Sequence, residues 1–133
     1  MAGVAAVGLG IAVYAGYGKD PWSTPAVTGL TQDVVQQAMQ IGKPTVAEFG
    51  ANACAACREM KPVLEALRRE HGERITVVDV DVIAQKEAGY IRRYGIQLMP
   101  TQVFFDAQGR ETGRHMGTIS AEEILARLEG RAR

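Results

Sequence analysis

The sequence predicts an α/β fold: a three-layer sandwich with a mixed central sheet and flanking helices. Three observations carry that prediction. Short apolar runs of strand length, from Thr45 to Phe49, Ile75 to Val80 and Thr101 to Phe105, alternate with stretches whose apolar residues recur at helical spacing. The tight-turn sequence Asp106-Ala107-Gln108-Gly109 joins the last run to Glu111–Met116 as an antiparallel hairpin. With 133 residues and 47% hydrophobic side chains, the chain suits one compact domain with a real core.

Charge and cysteine content narrow the function classes. Lys+Arg and Asp+Glu each number 15, so there is neither a basic excess to draw nucleic acid nor an acidic tail. Two cysteines exclude a disulfide-dense scaffold and leave one pair for one reversible bond. No internal repeat is visible.

Residues 1–18 (MAGVAAVGLGIAVYAGYG) carry no charged side chain, and their core from Val4 to Val13 is small and apolar. Three readings stay open. The segment is the apolar part of an export signal, with Val13-Tyr14-Ala15 as a weak cleavage site. Or it is an uncleaved membrane anchor, against which its glycines and short length count. Or it is a buried helix or glycine-rich tail. Export or anchoring is the reading adopted, although the first basic residue is Lys19. Residues 19–28, with Pro21, Ser23, Thr24 and Pro25, read as a linker, and Trp22 is expected to pack on the domain. Residues 29–133 form the folded domain.

Within that domain, Leu30, Val34, Ala38 and Ile41 predict a first helix, with Thr31 as N-cap and Asp33 in its first turn. Gly42 and Pro44 end it. The strand from Thr45 to Phe49 is apolar apart from Glu48, which suits a central strand covered on both faces. A helix follows from Cys54, with Cys57, Met60, Leu64 and Leu67 on one face and Val63 beside them. Pro62 lies inside it and is expected to kink it; His71-Gly72 closes it. The run from Ile75 to Val80 reads as a second buried strand. Ala84, Ala88 and Ile91 suggest a short helix closing near Tyr94-Gly95, and Thr101 to Phe105 the third strand. After the hairpin, Ser120 to Glu123 forms a capping box for a last helix with Ile124, Leu125 and Leu128 inward. Two parallel crossovers and an antiparallel edge are the expected sheet pattern.

The chemistry centres on Cys54-Ala55-Ala56-Cys57. A free thiol, with a pKa of about 8.5, supplies little reactive thiolate at neutral pH. The first turn of a helix offers unpaired N–H groups and partial positive charge, so Cys54 should have a lowered pKa. Cys57, one turn on, faces the same sulfur and is more buried. A zinc site needs about four ligands, and only His71 and His115 remain as nitrogen donors, without paired spacing. A structural disulfide is the other alternative, but so short a ring restricts the unfolded chain little. Thiol exchange is the favoured reading.

Glu48 lies six residues before Cys54 in an apolar strand. Burial should raise its pKa, fitting it to accept a proton from Cys57. Met99-Pro100-Thr101 precedes the third strand. Periodicity leaves open whether Pro100 is trans, the usual state, or cis. His71, His115, Tyr90 and Tyr94 are assigned no chemistry.

These features together resemble the thioredoxin superfamily, over roughly Leu30 to Leu128. The resemblance rests on Ala47-Glu48-Phe49-Gly50-Ala51 before the cysteines, on the pair itself and on Pro62 five residues later. Tyr94-Gly95-Ile96 leading to Met99-Pro100-Thr101, and Phe104-Phe105-Asp106 with Gly109 and Gly117, complete it. The resemblance implies that Cys54 is the nucleophile, Cys57 the resolving thiol and Glu48 the buried acid. It implies a cis Pro100 packed against the disulfide and a Met99 backbone that pairs with an extended substrate. The chain departs from the pattern in three places. Ala53 replaces the usual Trp, Ala55-Ala56 replaces Gly-Pro, and Val77 is read at the position of the lysine that accompanies the acid. The rim is therefore small and uncharged, and Ala53, Met99 and Pro100 are the expected substrate-binding residues.

The resemblance thus implies a thiol–disulfide oxidoreductase, reductive in direction, needing no cofactor beyond the redox-active Cys54–Cys57 disulfide and no metal. Its expected partners are protein disulfides, with an inner-membrane thiol transporter as electron source and apocytochromes c among the substrates. Its expected location is the bacterial periplasm or the outer membrane face, with the apolar segment as tether. A non-redox binding or folding module and a disulfide oxidase are the alternatives.

Overall fold

The computed structural model describes residues 33–131. The apolar segment 1–18, the linker 19–28 with Trp22, and the Leu30 and Thr31 positions lie outside the described residues. The elements are, in order, α1 (Val34–Met39), β1 (Thr45–Gly50), α2 (Ala55–His71), β2 (Thr76–Asp81), a 3-10 turn (Lys86–Ala88), α3 (Tyr90–Tyr94), β3 (Thr101–Phe105), β4 (Glu111–Met116) and α4 (Ala121–Leu128). The sheet order is β2-β1-β3-β4. One core cluster, with Val35, Phe49, Val80, Tyr90 and Val103, lies on the α1 and α3 side. The other, with Val46, Met60, Leu64, Phe104 and Ile124, lies under α2 and α4. The predicted sandwich and mixed sheet are both present.

The sheet pattern needs one correction. Among the described residues only β1 and β2 run parallel; β3 is antiparallel to β1, with Thr101 opposite Phe49. After β2 the chain stays at the carboxyl end of the strands, where the short turn and five-residue α3 are built. It re-enters the sheet from that end, so no second parallel crossover forms. The consequence for function is direct: the residues leading into β3 arrive beside the start of α2.

The first helix is also shifted. Asp33 is its N-cap, accepting from the backbone N–H groups of Val35 and Gln36. The buried positions are Val35 and Ala38, while Ile41 is exposed and Val34 borders on it. The competing period lost because Asp33 is held from outside the helix: it also accepts from Arg93 and the Tyr94 hydroxyl. Strand β2 lies at the sheet edge among the described residues, and most of it is half-buried rather than buried. Gly89, at φ 67°, splits the expected helix around Ala88 and Ile91 into two pieces; Ala88 and Tyr90 turn inward and Ile91 outward.

Helix α2 runs unbroken from Ala55 to His71 with Pro62 inside it, and as expected it buries Cys57, Met60, Leu64 and Leu67. Gly109, at φ 77°, makes the hairpin turn that joins β3 to β4. Ser120 caps α4 by accepting from the Glu123 N–H, but the box is not reciprocal in side chains: the Glu123 carboxylate holds Arg127.

Candidate active site

Cys54 is the N-cap of α2, where orphan N–H groups converge. Its Sγ accepts from the backbone N–H of Cys57 at 3.3 Å. The loop before it is fastened at both ends. Asp81 at the end of β2 accepts from the Asn52 N–H at 3.0 Å, and the Arg58 guanidinium donates to the Asn52 carbonyl at 2.9 Å. A turn closed by the Cys54 N–H on the Ala51 carbonyl aims the thiol outward. Cys54 is half-exposed; Cys57 is 1% exposed.

The two thiols are driven apart. Hydrogen bonding to Cys57, through its side chain and then its backbone, holds the Cys54 thiol below its ordinary value. A further backbone bond from Ala56 and the charge of Arg58 act in the same direction. Burial, then the contact with Cys54, pushes Cys57 up to about 11, and the charge of Glu48 adds to the rise. A half-exposed thiol with a lowered pKa beside a buried thiol with a raised one is the arrangement sequential thiol exchange requires.

Glu48 is fully buried at the centre of β1. Burial pushes its carboxyl from 4.5 up to about 7; the Gln102 hydrogen bond opposes the shift, Asp79 adds to it and Lys61 reduces it. Gln102 Nε2 donates to Oε2 at 3.1 Å, and Oε1 has no hydrogen-bond partner. Gly50 puts no side chain between Oε1 and Cys57. A methyl group there would stand 2.9 Å from Cys57 Sγ and 3.8 Å from Glu48 Oε1. The acid and the buried thiol thus border one gap.

Asp79 lies beside Glu48 on β2, two residues past Val77. A cation reaches this place from α2, where Lys61 ion-pairs with Asp79. Asp79, Glu48, Gln102 and His115 form a polar row across all four strands. Sequence reading singled out only Glu48 from that row. Asp79 and Gln102 carry the same signal, a polar residue inside an apolar strand, and were legible by the same rule.

The Met99–Pro100 peptide bond is cis, which closes the question periodicity left open. The Met99 carbonyl lies 4.0 Å from Cys54 Sγ. Met99 is half-buried, Pro100 buried and Ala53 exposed. An apolar groove beside Cys54 is lined by Ile91, Ile96, Leu98 and Met99. Ile91 and Leu98, 45% and 54% exposed, were not anticipated as site residues; an apolar side chain left in solvent beside a nucleophile is their signal. His71 and His115 bond locally, to Arg74 and to the Thr118 carbonyl. Tyr90 and Tyr94 pack around Phe49. Among the described residues no group of three or more His, Cys, Asp or Glu could hold a metal ion, and no helix is long and apolar enough to cross a membrane.

Comparison with known proteins places this geometry among relatives. The family described as a thioredoxin-like domain matches residues 31–132. Thioredoxin of Alicyclobacillus acidocaldarius is 34% identical over 103 residues, covering 77% of this chain and 95% of that protein. The chloroplastic thioredoxin-like protein HCF164 of Oryza sativa is 30% identical over 90 residues, 68% of this chain; the match spans only 34% of that longer protein. In structure, the pneumococcal exposed lipoprotein thioredoxin Etrx1 of Streptococcus pneumoniae superposes with a TM-score of 0.59 at 21% identity, covering 72% of this chain and 89% of that one.

Proposed function

The chain belongs to the thioredoxin-like family of thiol–disulfide oxidoreductases, and from that premise we propose that it reduces disulfides of exported proteins through Cys54 and Cys57. The observation that carries the proposal is the asymmetry of the two thiols: Cys54 half-exposed at the α2 N-cap with its pKa lowered, Cys57 buried with its pKa raised.

The cycle follows from that asymmetry. The Cys54 thiolate attacks one sulfur of a partner disulfide; a Cys54–partner bond forms, the partner S–S bond breaks, and one partner thiolate leaves. Cys57 gives its proton to Glu48 and attacks Cys54 Sγ. The Cys54–Cys57 disulfide forms and the second partner thiolate leaves, so two electrons pass to the partner. Glu48 returns the proton to the departing thiolate or to solvent. An external dithiol donor then reduces Cys54–Cys57, and a membrane thiol transporter fits that role. In substrate binding, Met99 presents its backbone, the buried Pro100 sets the course of that backbone beside Cys54, and Ala53 leaves an open rim.

The apolar segment 1–18 and the proline-containing linker support placement outside the bacterial cytoplasm, tethered or released. Protein disulfides, including those of apocytochromes c, are the substrates this location offers. The test is insulin-disulfide reduction with equilibration against glutathione. Wild type should turn over and equilibrate at a reducing potential, Cys54→Ser should be inactive, and Cys57→Ser should accumulate mixed disulfides. Full turnover by Cys54→Ser would sink the mechanism. A glutathione equilibrium on the oxidising side would reverse the direction, and a pair that never opens in mild reductant would favour a non-redox binding module.

A further inference from the structure

We propose that Gln102 is a positioning residue for the resolving step: its amide ties one oxygen of Glu48 and leaves the other facing the Cys57 side of the gap to receive the proton. The inference rests on the thiol-exchange reading above. Glu48 and Gln102 are direct cross-strand partners on β1 and β3, and both are 0% exposed. Gln102 Nε2 donates to Glu48 Oε2 at 3.1 Å. With Oε2 engaged, Oε1 is the oxygen with no donor, and it borders the Gly50 gap shared with Cys57 Sγ.

A buried carboxylate with no fixed donor would gain nothing from facing one neighbour rather than another. The strand-borne amide removes that freedom. Because a donor favours the charged form, it also keeps Glu48 available as a base near neutral pH. The other groups facing Glu48 give it no hydrogen bond. Asp79 on β2 repels the charge; Lys61 on α2, ion-paired with Asp79, favours the charge only from a distance; Cys57 on α2 is the proton's source. His115, across Gln102 on β4, bonds the Thr118 carbonyl.

The test uses Gln102→Met, close to glutamine in size and without a donor. Three quantities are read against pH: the titration of the Glu48 carboxyl by carbon-13 NMR, the decay of a mixed disulfide preformed on Cys54, and alkylation of Cys54. The Glu48 midpoint should rise and mixed-disulfide decay at pH 7 should slow by about tenfold, the size expected from losing one hydrogen bond to a charged group. Cys54 alkylation should be unchanged. If Gln102→Met does not fold, Gln102→Asn, which withdraws the amide by one methylene, should move the same two readouts in the same direction. An unmoved Glu48 midpoint, or equal slowing of Cys54 alkylation, overturns the proposal. If wild type forms no mixed disulfide, it is the thiol-exchange reading that fails, and the Glu48 titration still decides the role of Gln102.

Discussion

Cys57 donates its backbone N–H to the Sγ of Cys54 across 3.3 Å while its own thiol is buried behind it. One residue thus stabilises its partner's thiolate and withholds its own. The expected outcome is a strict order of alkylation. At pH 7, iodoacetamide should label Cys54 at least about tenfold faster than Cys57, because reactivity follows thiolate fraction and access. Cys57 should become reactive only as the pH nears the value of about 11 to which burial pushes it. Peptide mapping after timed quenching gives the order; Cys57 labelled first would reverse the assigned roles.

Glu48 predicts how stability depends on pH. Its folded value of about 7 lies above its ordinary 4.5. Between those values the folded state keeps a proton that the unfolded state has lost, so stability falls as pH rises through that window and stays low above it. The full effect is on the order of 3 kcal/mol. Glu48→Gln should abolish the slope and exceed wild type in stability at pH 8. Its added N–H also has a ready acceptor class nearby, since Gln102 Oε1 is buried without a partner. Urea midpoints at pH 5 and pH 8 check this; parallel slopes in the two proteins would contradict it.

The groove beside Cys54 predicts a separation of binding from chemistry. Leu98 and Ile91 expose apolar side chains next to the thiol, and covering such a side chain contributes about 1.5–3 kcal/mol. Leu98→Asn should raise KM for a protein disulfide by about tenfold or more. Cys54 alkylation by a small reagent should stay as in wild type, since the Leu98 side chain makes none of the bonds that hold the loop. Steady-state kinetics with insulin, set beside alkylation rates, distinguish loss of docking from loss of thiol reactivity.

These site features were not equally legible in the sequence. Cys54, Cys57 and Glu48 stand out because each contradicts its surroundings: two thiols at a helix start, one carboxylate in an apolar strand. The ends of β3 and β4 and the buried face of α2 follow from local period and turn chemistry alone. What was lost depends on tertiary context. The direction of β3 is set by where the chain travels between Val82 and Pro100, and no period encodes that path. The pairing of Asp79 with Glu48 is a matter of register between two strands, which neither strand's own pattern encodes. The inward face of α1 was misjudged because Asp33 is held by Arg93 and Tyr94, some sixty residues away in sequence.

Gly50 carries the last prediction, in which a small gain opposes a larger cost. Its backbone needs no left-handed conformation, so alanine fits the strand and should gain about 0.4–1 kcal/mol from a less flexible unfolded chain. Against this, the added methyl would stand 2.9 Å from Cys57 Sγ and 3.1 Å from its Cβ. Cys57 is fixed in α2 and cannot swing aside, and overpacking of this kind costs about 1–3 kcal/mol. Gly50→Ala should therefore be less stable than wild type by about 1–2 kcal/mol, read from urea unfolding. The same methyl fills the gap between Glu48 Oε1 and Cys57 Sγ. Mixed-disulfide decay should slow while the attack by Cys54, whose sulfur faces the other way, proceeds as before. A variant as stable as wild type with an unchanged resolving rate would show that the gap has no part in carrying the proton.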